Sequence, residues 1–402
     1  MKEWERIMEK TLEHVTVLDL TRVLAGPFCG MMLADMGANV IKIEAVGKGD
    51  DSRQYAPMVN GESCYYMNLN RNKKGVTLNL KAPEGKEAFL KMVKKADLVL
   101  ENFRPGVMER LGLGYETLKE VNPKIVYGCV SGFGHYGPYS SRGGYDIIGQ
   151  AMSGLMSTTG WPNTGPTRTG TAMADVLGGL SVCIGVLAAL LNARETGLGQ
   201  KVDVALVDSA VASLEIINQI YLATGRIPER IGNRYESCYP YDSFLCADGE
   251  LVIACGNDSL FVKLVHLMGQ PELITDARFD CNPKRVENHA ILKPIVEEWT
   301  KQYPRDELVN LILDAGIPAA PINTIADTTK DPHIAGAREM FVEVDHPVAG
   351  KMKLTGCHIK MSRTPSTIRT PAPLLGQDND EVYGALGYSA QELADMRQRG
   401  VI

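Results

Sequence analysis

The chain has 402 residues, of which 45% are apolar and 22% charged, as in a folded globular protein. Its 42 basic and 48 acidic residues give a formal charge of −6, which argues against a general nucleic-acid-binding surface, because such surfaces are basic. The nine cysteines form no C-x-x-C pair, and the seven histidines form no H-E-x-x-H motif. We therefore expect a reducing compartment, buried thiols and no metal site.

The N-terminal sequence MKEWERIMEKTLEHV is charged and lacks the apolar core of a signal peptide. The longest nearly pure apolar run, 176–191, is shorter than the ~20 residues that a bilayer span needs, and its small residues suit a buried helix. These features predict a cytoplasmic protein that binds no membrane.

The first half of the chain predicts strands that alternate with helices. The run 15–20 predicts a strand, the following segment a helix that begins near Pro27 and stops at Gly37, and 38–44 a second strand. The alternation continues with a helix at 83–96, strands at 97–102 and 124–134, a helix that ends near Arg194, and a strand at the start of KVDVALVDSAVASLEI. This order predicts an α/β fold with a mostly parallel sheet covered on both faces.

The sequence changes character after about residue 225. Two strand-like runs flank Asp248-Gly249, a strong hairpin turn signal, and a helical region follows at about 258–315. We interpret 226–325 as a smaller inserted domain and 326–402 as a return to the domain formed by 1–225.

The motifs of the common cofactor enzymes and hydrolases do not occur in their required form. The loop after the first strand contains Gly26 and Gly30 but no G-x-G-x-x-G. GKGDDS is not a P-loop, and GCVSGFG lacks the spacing of a nucleophile elbow. Dinucleotide, P-loop and serine-hydrolase chemistry are therefore disfavoured.

Three loops are predicted at the carboxyl ends of the strands, where open α/β sheets bind ligands. The loops 21–27, 101–110 and 131–150 offer a set of cations, an amide and aromatic rings: Arg22, Asn102, Phe103, Arg104, Arg110 and Tyr145. These groups suit an adenine, a pantetheine chain and phosphates. The alternative is that Arg104 and Arg110 are solvated surface charges.

Asp175 stands at the head of the longest apolar run, in TGTAMADVLGG, and Gly178 and Gly179 follow it closely. One interpretation is a helix cap, because an Asp side chain accepts hydrogen bonds from the first free backbone N–H groups. The other is a catalytic nucleophile. Position alone favours the cap.

Several blocks spread over nearly the whole chain resemble the class III CoA-transferase family, which includes formyl-CoA transferase and carnitine CoA-transferase. They are VLDLTRVLAGPFCGMMLADMGANVIKIE, NLNRNKKGVTLNLKAPEGK, DLVLENFRPGVMERLGLGYE, GYDIIGQAMSGLMSTTG, ADVLGGL, GLGQKVDVALVD and PLLGQDNDEVYGALGYS. The resemblance implies a Rossmann-like large domain, a smaller α+β domain, and two chains interlocked like links in a homodimer.

The resemblance also implies a catalytic aspartate that matches Asp175. Its carboxylate would attack an acyl-CoA thioester to give a mixed anhydride, and the CoA thiolate would return to form an aspartyl-CoA thioester that an acceptor acid resolves. CoA and acyl-CoA enter as substrates, and no tightly bound cofactor is implied. We expect Gly178 and Gly179 to leave space and donate N–H groups to an oxyanion, and the helix start to keep the pKa of Asp175 low.

By position, the CoA contacts of the family match residues distributed over the predicted loops: Arg22, Val23, Ala25, Leu78, Lys81, Asn102, Phe103, Arg110 and Tyr145. Asp146 stands where formyl-type members have a Glu near the nucleophile, and its role is left open. Those members have Gln in place of Leu24 and Arg in place of Ala45, so the resemblance does not imply specificity for formyl or oxalate groups.

Two other functions remain open. The α-methylacyl-CoA racemases resemble this chain around Asp175 but use a His–Asp pair, and Tyr145 stands in place of their His. A phenol with a pKa near ~10 is a poor base at neutral pH, which counts against racemisation. A non-catalytic CoA-binding subunit would bind CoA and transfer nothing. The preferred hypothesis is an enzyme that moves CoA from an acyl-CoA to a carboxylic acid.

Overall fold

The computed structural model describes residues 10–402, and its internal contacts divide the chain into two compact units. The larger unit contains the residues up to Leu155 together with Arg168–Ala223 and Pro332–Ile402. The smaller unit contains Met156–Thr167 and Thr224–Asp331. The sequence prediction of a large domain over 1–225 misses the segment 156–167, which hydrogen-bonds within the smaller unit, for example from Arg230 Nη1 to the Ser157 carbonyl at 3.0 Å. Residues 326–331 also lie in that unit.

The strands are, in chain order, β1 Thr16–Asp19, β2 Asn39–Glu44, β3 Met58–Val59, β4 Glu62–Ser63, β5 Lys74–Thr77, β6 Leu98–Glu101, β7 Val126–Ser131, β8 Lys201–Ala205, β9 Tyr241–Leu245, β10 Glu250–Ala254, β11 Ala319–Pro321, β12 Phe341–His346 and β13 Gly350–Thr355. The α-helices are α1 Ala25–Asp35, α2 Cys64–Asn70, α3 Pro83–Val93, α4 Val107–Leu111, α5 Tyr115–Val121, α6 Asp146–Met152, α7 Leu155–Thr158, α8 Met173–Thr196, α9 Leu206–Ala212, α10 Glu215–Thr224, α11 Asp258–Leu267, α12 Asn282–Glu287, α13 His289–Thr300, α14 Arg305–Asp314, α15 Ile325–Thr328, α16 Asn379–Gly384 and α17 Ala390–Gln398.

A six-stranded parallel sheet forms the centre of the larger unit, in the order β5-β2-β1-β6-β7-β8. Counted among themselves, these strands follow the order 3-2-1-4-5-6 of doubly wound dinucleotide-binding sheets. The order reverses between β1 and β6, and the chain leaves a crevice at their carboxyl ends. The parallel α/β sheet predicted from the alternating pattern is confirmed.

Alternate side chains of the central strands enter two separate hydrophobic cores, one on each face of the sheet. Val17 belongs to the core that contains α1 and α8, whereas its neighbour Leu18 belongs to the core that contains α3 and α17. Both side chains are fully buried. Burial on both faces explains why these strands read as continuous apolar runs rather than as alternating patterns.

Helix α8 is 24 residues long and packs closely against α1 and the sheet. A Cβ atom on Gly179 would lie 2.6 Å from the Ala25 carbonyl oxygen, and one on Gly178 would lie 2.7 Å from Leu206 Cδ2. The expectation that these glycines leave space for substrate is therefore wrong, because they allow close packing of α8. Their N–H groups lie inside the helix, where they bond to carbonyls four residues earlier.

Within the described residues, α8 is also long and apolar enough to cross a membrane by length and composition. The sequence analysis underestimated the length of the apolar segment, because the helix extends beyond the run 176–191 at both ends. Its packing against α1, β7 and α9 accounts for much of its apolar character.

The smaller unit has its own core around a three-stranded antiparallel sheet in the order β11-β10-β9. β9 and β10 pair from Leu245 with Glu250, so the hairpin turns at the predicted Asp248-Gly249. The four helices α11 to α14 cover the predicted helical region.

We predict that Gly179→Ala lowers the free energy of unfolding by about 1–3 kcal/mol, because the added methyl group forces the α1 backbone away from α8. The measurement is urea-induced unfolding followed by circular dichroism. Gly384→Ala is the matched control, because this helical glycine has no other atom within 4 Å of an added Cβ. It should leave the stability unchanged or raise it. Equal stability of the Gly179→Ala and wild-type proteins would contradict this account of the packing.

Candidate functional site

The side-chain amide of Asn102 joins the loops that follow β1 and β6. Asn102 Oδ1 accepts a hydrogen bond from the Arg22 N–H at 2.7 Å, and Asn102 Nδ2 donates to the Arg22 carbonyl at 2.6 Å. The Arg22 guanidinium lies over the Phe103 ring, 5.5 Å from its centroid. Three predicted CoA contacts are thus brought together, and we call this arrangement the Arg22–Asn102 clamp.

The next residue, Val23, is held in a conformation that β-branched residues rarely adopt. Its φ angle is 67°, and its N–H donates to the Asp50 carboxylate at 3.2 Å. Asp50 in turn pairs with Lys42 at 2.9 Å, and both side chains are fully buried. Burial favours the neutral acid, but the Lys42 ammonium outweighs it and lowers the pKa of Asp50 to about 2. This fixed anion stabilises the strained loop.

The sequence analysis did not identify Lys42 or Asp50 as parts of the site. One signal was available, because a lysine within the apolar strand segment ANVIKIE must pair with an acid if its ammonium is buried.

Two cavities meet at the clamp, and Arg22 and Phe103 line both. The larger has a volume of about 650 Å³, and the predicted contacts that line it are Arg22, Leu78, Lys81 and Phe103. The smaller has a volume of about 190 Å³, and the predicted residues that line it are Arg22, Val23, Ala25, Asn102, Phe103, Tyr145 and Asp175. Arg110 and Asp146 line neither cavity. The exposed Arg110 side chain lies on the short helix α4, and Asp146 is engaged elsewhere, as described next.

Asp146, and not Asp175, caps helix α8. Asp146 Oδ1 accepts from the N–H groups of Ala174 at 2.8 Å and Asp175 at 3.4 Å, while Gln150 donates to the other Asp146 oxygen at 2.7 Å. The N-cap position itself is Ala172, which has no capping side chain. The cap interpretation of Asp175 is therefore wrong. Asp175 is the third residue of the helix, and its carboxylate faces the smaller cavity.

The pKa of Asp175 is raised to about 7, first by burial and second by the negative charge of Asp146. The expected low pKa is therefore wrong, because loss of hydration outweighs the favourable end of the helix dipole. At neutral pH the Asp175 carboxyl group is close to half ionised. A carboxylate that lacks strong hydrogen bonds, and whose raised pKa makes its ionised form more basic, is chemically able to act as a nucleophile.

Three further side chains near Asp175 were not assigned to the site by sequence, namely Tyr55, Tyr65 and Arg142, whereas Arg104 was among the candidate cations of the predicted loops. Arg104 and Arg142 line the smaller cavity, and neither forms an ion pair with a described residue. The pKa of Tyr65 is raised to about 12 by burial and by the charge of Asp175, which places its phenol near that carboxylate. The Tyr55 and Tyr65 rings meet edge to face at 5.5 Å.

Among residues 10–402, one group of side chains has the composition of a metal site: Glu101, Cys129 and His135, whose ligand atoms lie within 4.8 Å of one another. Lys201 Nζ lies 2.9 Å from His135 Nδ1. A lysine ammonium can only donate, so Nδ1 accepts and the ring proton lies on Nε2. The nitrogen that faces Glu101 therefore has no free lone pair, and the group does not fit a metal ion.

Comparison with known proteins identifies the family. Residues 12–379 match the sequence model of CoA-transferase family III. The chain is 39% identical over 396 residues to the succinyl-CoA–D-citramalate CoA-transferase of Chloroflexus aurantiacus, covering 98% of each chain. It is 42% identical over 351 residues to the acetyl-CoA:oxalate CoA-transferase of Acetobacter aceti, covering 87% of this chain and 89% of that one.

The fold agrees with these sequence matches. A solved structure of a CAIB/BAIF family protein from Brucella suis has a TM-score of 0.83 and 38% identity, covering 94% of this chain and all of that one. The chain therefore belongs to CoA-transferase family III and is a class III acyl-CoA:carboxylate CoA-transferase.

Proposed function

We propose that Asp175 is the nucleophile of this CoA-transferase. The observation that carries the proposal is that Asp175 is an uncommitted carboxylate in the cavity where the clamp residues converge. Asp51 also lines this cavity, but its oxygens pair with Arg22 at 3.2 Å and Lys48 at 2.8 Å. A carboxylate held by two cations is a weaker nucleophile than one without such partners.

The proposed reaction has four steps. An Asp175 oxygen attacks the thioester carbonyl carbon and the C–S bond breaks. CoA leaves as a thiolate, and the donor acyl group remains on Asp175 as a mixed anhydride. The thiolate attacks the Asp175 carbonyl carbon and releases the donor acid, leaving an aspartyl-CoA thioester. The acceptor carboxylate attacks the carbonyl carbon of that thioester and displaces the thiolate, leaving a mixed anhydride between Asp175 and the acceptor. The thiolate then attacks the acceptor carbonyl of this anhydride, which gives the acceptor acyl-CoA and frees the Asp175 carboxylate.

The two cavities suit the two parts of an acyl-CoA. The larger is lined by Lys48 and Lys81, which suit phosphates, and by Leu78 and Leu80, which suit the adenine and pantetheine surfaces. A thioester in the smaller cavity would lie beside Asp175. Arg22 and Phe103 line both cavities. A single acyl-CoA could therefore extend past the clamp, with its nucleotide part in the larger cavity and its thioester in the smaller one.

We propose that the acceptor acids are small dicarboxylic acids. The two relatives are named for succinyl-CoA and acetyl-CoA as donors, with D-citramalate and oxalate as the respective acceptors. The unpaired guanidinium groups of Arg104 and Arg142 give the smaller cavity a positive lining. Such a lining favours anionic substrates over neutral acyl groups.

We also propose a homodimer in which two chains interlock. The support is a set of exposed apolar side chains on α8 and α10: Ile184, Leu191, Tyr221 and Leu222. Helix α8 is apolar on all sides. This is expected if a partner chain covers the face of α8 that its own unit leaves exposed. A cytoplasmic location is supported by nine cysteines that are all free thiols in the structure.

We predict that Asp175→Asn abolishes transfer, lowering kcat by at least about a thousandfold, because an amide cannot form the anhydride. The assay offers succinyl-CoA or acetyl-CoA with oxalate, citramalate, glutarate and monocarboxylic acids, and product thioesters are measured by mass spectrometry. CoA binding, measured by calorimetry, should persist. Asp314→Asn is the control, because this exposed carboxylate lies at the end of α14. Transfer by Asp175→Asn at the wild-type rate would refute the nucleophile assignment, and α-proton exchange into D₂O would then be measured to test racemisation.

A second prediction concerns pH. The nucleophile is the ionised acid, so kcat/KM should fall as the pH decreases through about 7, the raised pKa of Asp175. Asp146→Asn removes the neighbouring negative charge while keeping an oxygen to cap α8, so the midpoint of this limb should move to lower pH. A wild-type profile that is flat from pH 6 to 8, or an unchanged midpoint in Asp146→Asn, would contradict this explanation of the pKa.

A third prediction concerns assembly. Sedimentation velocity should give twice the mass of one chain at micromolar concentration. Ile184→Glu should lower the fraction of dimer, because it places a charge on the apolar face of α8. A wild-type protein that sediments as a single chain would contradict the proposed homodimer.

A further inference from the structure

Glu101 ends β6 immediately before the clamp loop, and its carboxylate is buried, with 2% of the side chain exposed. One oxygen accepts the Phe103 N–H at 2.8 Å, and the other accepts the Tyr127 hydroxyl at 3.1 Å. Neither oxygen lines a cavity, so Glu101 does not meet substrate. It does hold the backbone of the loop that carries Asn102 and Phe103.

His135 approaches the same carboxylate from the loop after β7. Its Nε2 lies 3.6 Å from Glu101 Oε1, is buried and has no closer hydrogen-bond partner in the described part of the chain. The Lys201 ammonium, which donates to Nδ1, places the ring proton on Nε2, so this N–H points toward Glu101. The backbone N–H of His135 donates to the Asp203 carboxylate at 2.9 Å, which fixes the loop.

We propose that Glu101 and His135 form a positioning pair for CoA binding. The His135 Nε2–H lies 3.6 Å from Glu101 Oε1, too far for a hydrogen bond, and its dipole favours the ionised carboxylate through space. The carboxylate accepts the Phe103 N–H, so that the Arg22–Asn102 clamp is formed before CoA arrives. This inference rests on the proposed placement of CoA against Asn102 and Phe103. It does not depend on the identity of the nucleophile.

The charge environment explains why Glu101 needs such a partner. Burial raises the pKa of Glu101 to about 7, although the Phe103 N–H and the Tyr127 hydroxyl both favour the ionised form, so a further N–H dipole nearby shifts the balance toward the carboxylate. The titratable groups around it come from four elements: Tyr127 and Cys129 on β7, His135 on the following loop, Lys201 and Asp203 on β8, and Glu109 on α4. Burial and the charge of Lys201 lower the pKa of His135, which keeps its ring neutral.

The decisive variant is Glu101→Gln, which keeps the shape and an acceptor for the Phe103 N–H but removes the negative charge. A charge-assisted hydrogen bond then becomes a neutral and weaker one. We expect the Kd for CoA, measured by calorimetry, and the KM for acyl-CoA to rise about tenfold, with kcat unchanged within about twofold. Glu116→Gln, an exposed carboxylate on α5, is the control and should match the wild type.

His135→Phe tests whether the histidine acts through Glu101. It should raise the Kd for CoA about threefold in the wild-type background and leave it unchanged in the Glu101→Gln background, as a double-mutant cycle requires for coupled residues. A wild-type Kd in Glu101→Gln, or equal effects of His135→Phe in both backgrounds, would overturn the proposal. So would a loss of kcat at unchanged KM. Should Glu101→Gln prove unstable in thermal unfolding, an unchanged Kd in His135→Phe alone would overturn it.

This test is independent of the nucleophile assignment. Asp175→Asn removes transfer and leaves CoA binding, whereas Glu101→Gln weakens CoA binding and leaves transfer at saturating substrate. Calorimetry with CoA alone therefore separates the two proposals.

Discussion

The hydrogen bonds from the first turn of α8 to Asp146 determine the chemical character of the whole site. Because Asp146 Oδ1 takes the free N–H groups of Ala174 and Asp175, the Asp175 side chain has no capping role. The same contact places a second negative charge beside a buried carboxyl group, and burial and charge together raise its pKa to about 7. One structural contact thus caps the helix, leaves the Asp175 carboxylate free and adds to the effect of burial on its ionisation.

The rest of the larger unit brings this acid to the ligand crevice. The sheet order reverses between β1 and β6, so the loops after these two strands diverge. The Asn102 side chain, on the loop after β6, connects them by hydrogen bonds to the backbone of Arg22 on the loop after β1. Two buried ion pairs in this unit, Lys42 with Asp50 and Lys73 with Asp19, lie beneath the β1 loop. Gly179 then allows α8 to approach α1 closely enough for Asp175 to face the clamp.

Local patterns in the sequence predicted the parallel sheet and five of its six strands, because these depend on residues near one another in the chain, whereas the edge strand β5 was not predicted. The loops at the strand ends identified the clamp residues as candidates, and the family resemblance gave Asp175 its catalytic role. The capping of α8 was predicted wrongly because it depends on Asp146, which is 29 positions away from Asp175. The pKa of Asp175 was predicted wrongly because it depends first on burial in the folded chain and second on the charge of Asp146. The role of Gly179 was also missed, since the carbonyl it packs against belongs to Ala25 on another helix.

The measurement that tests the central claim most directly is covalent trapping. The protein would be incubated with succinyl-CoA or acetyl-CoA, treated with hydroxylamine, digested and mapped by mass spectrometry. The account predicts a hydroxamate on the peptide that contains Asp175, since hydroxylamine attacks both the anhydride and the aspartyl-CoA thioester. Turnover of the same donor with an unmodified Asp175, or with a hydroxamate on another carboxylate such as Asp51 or Asp146, would contradict it.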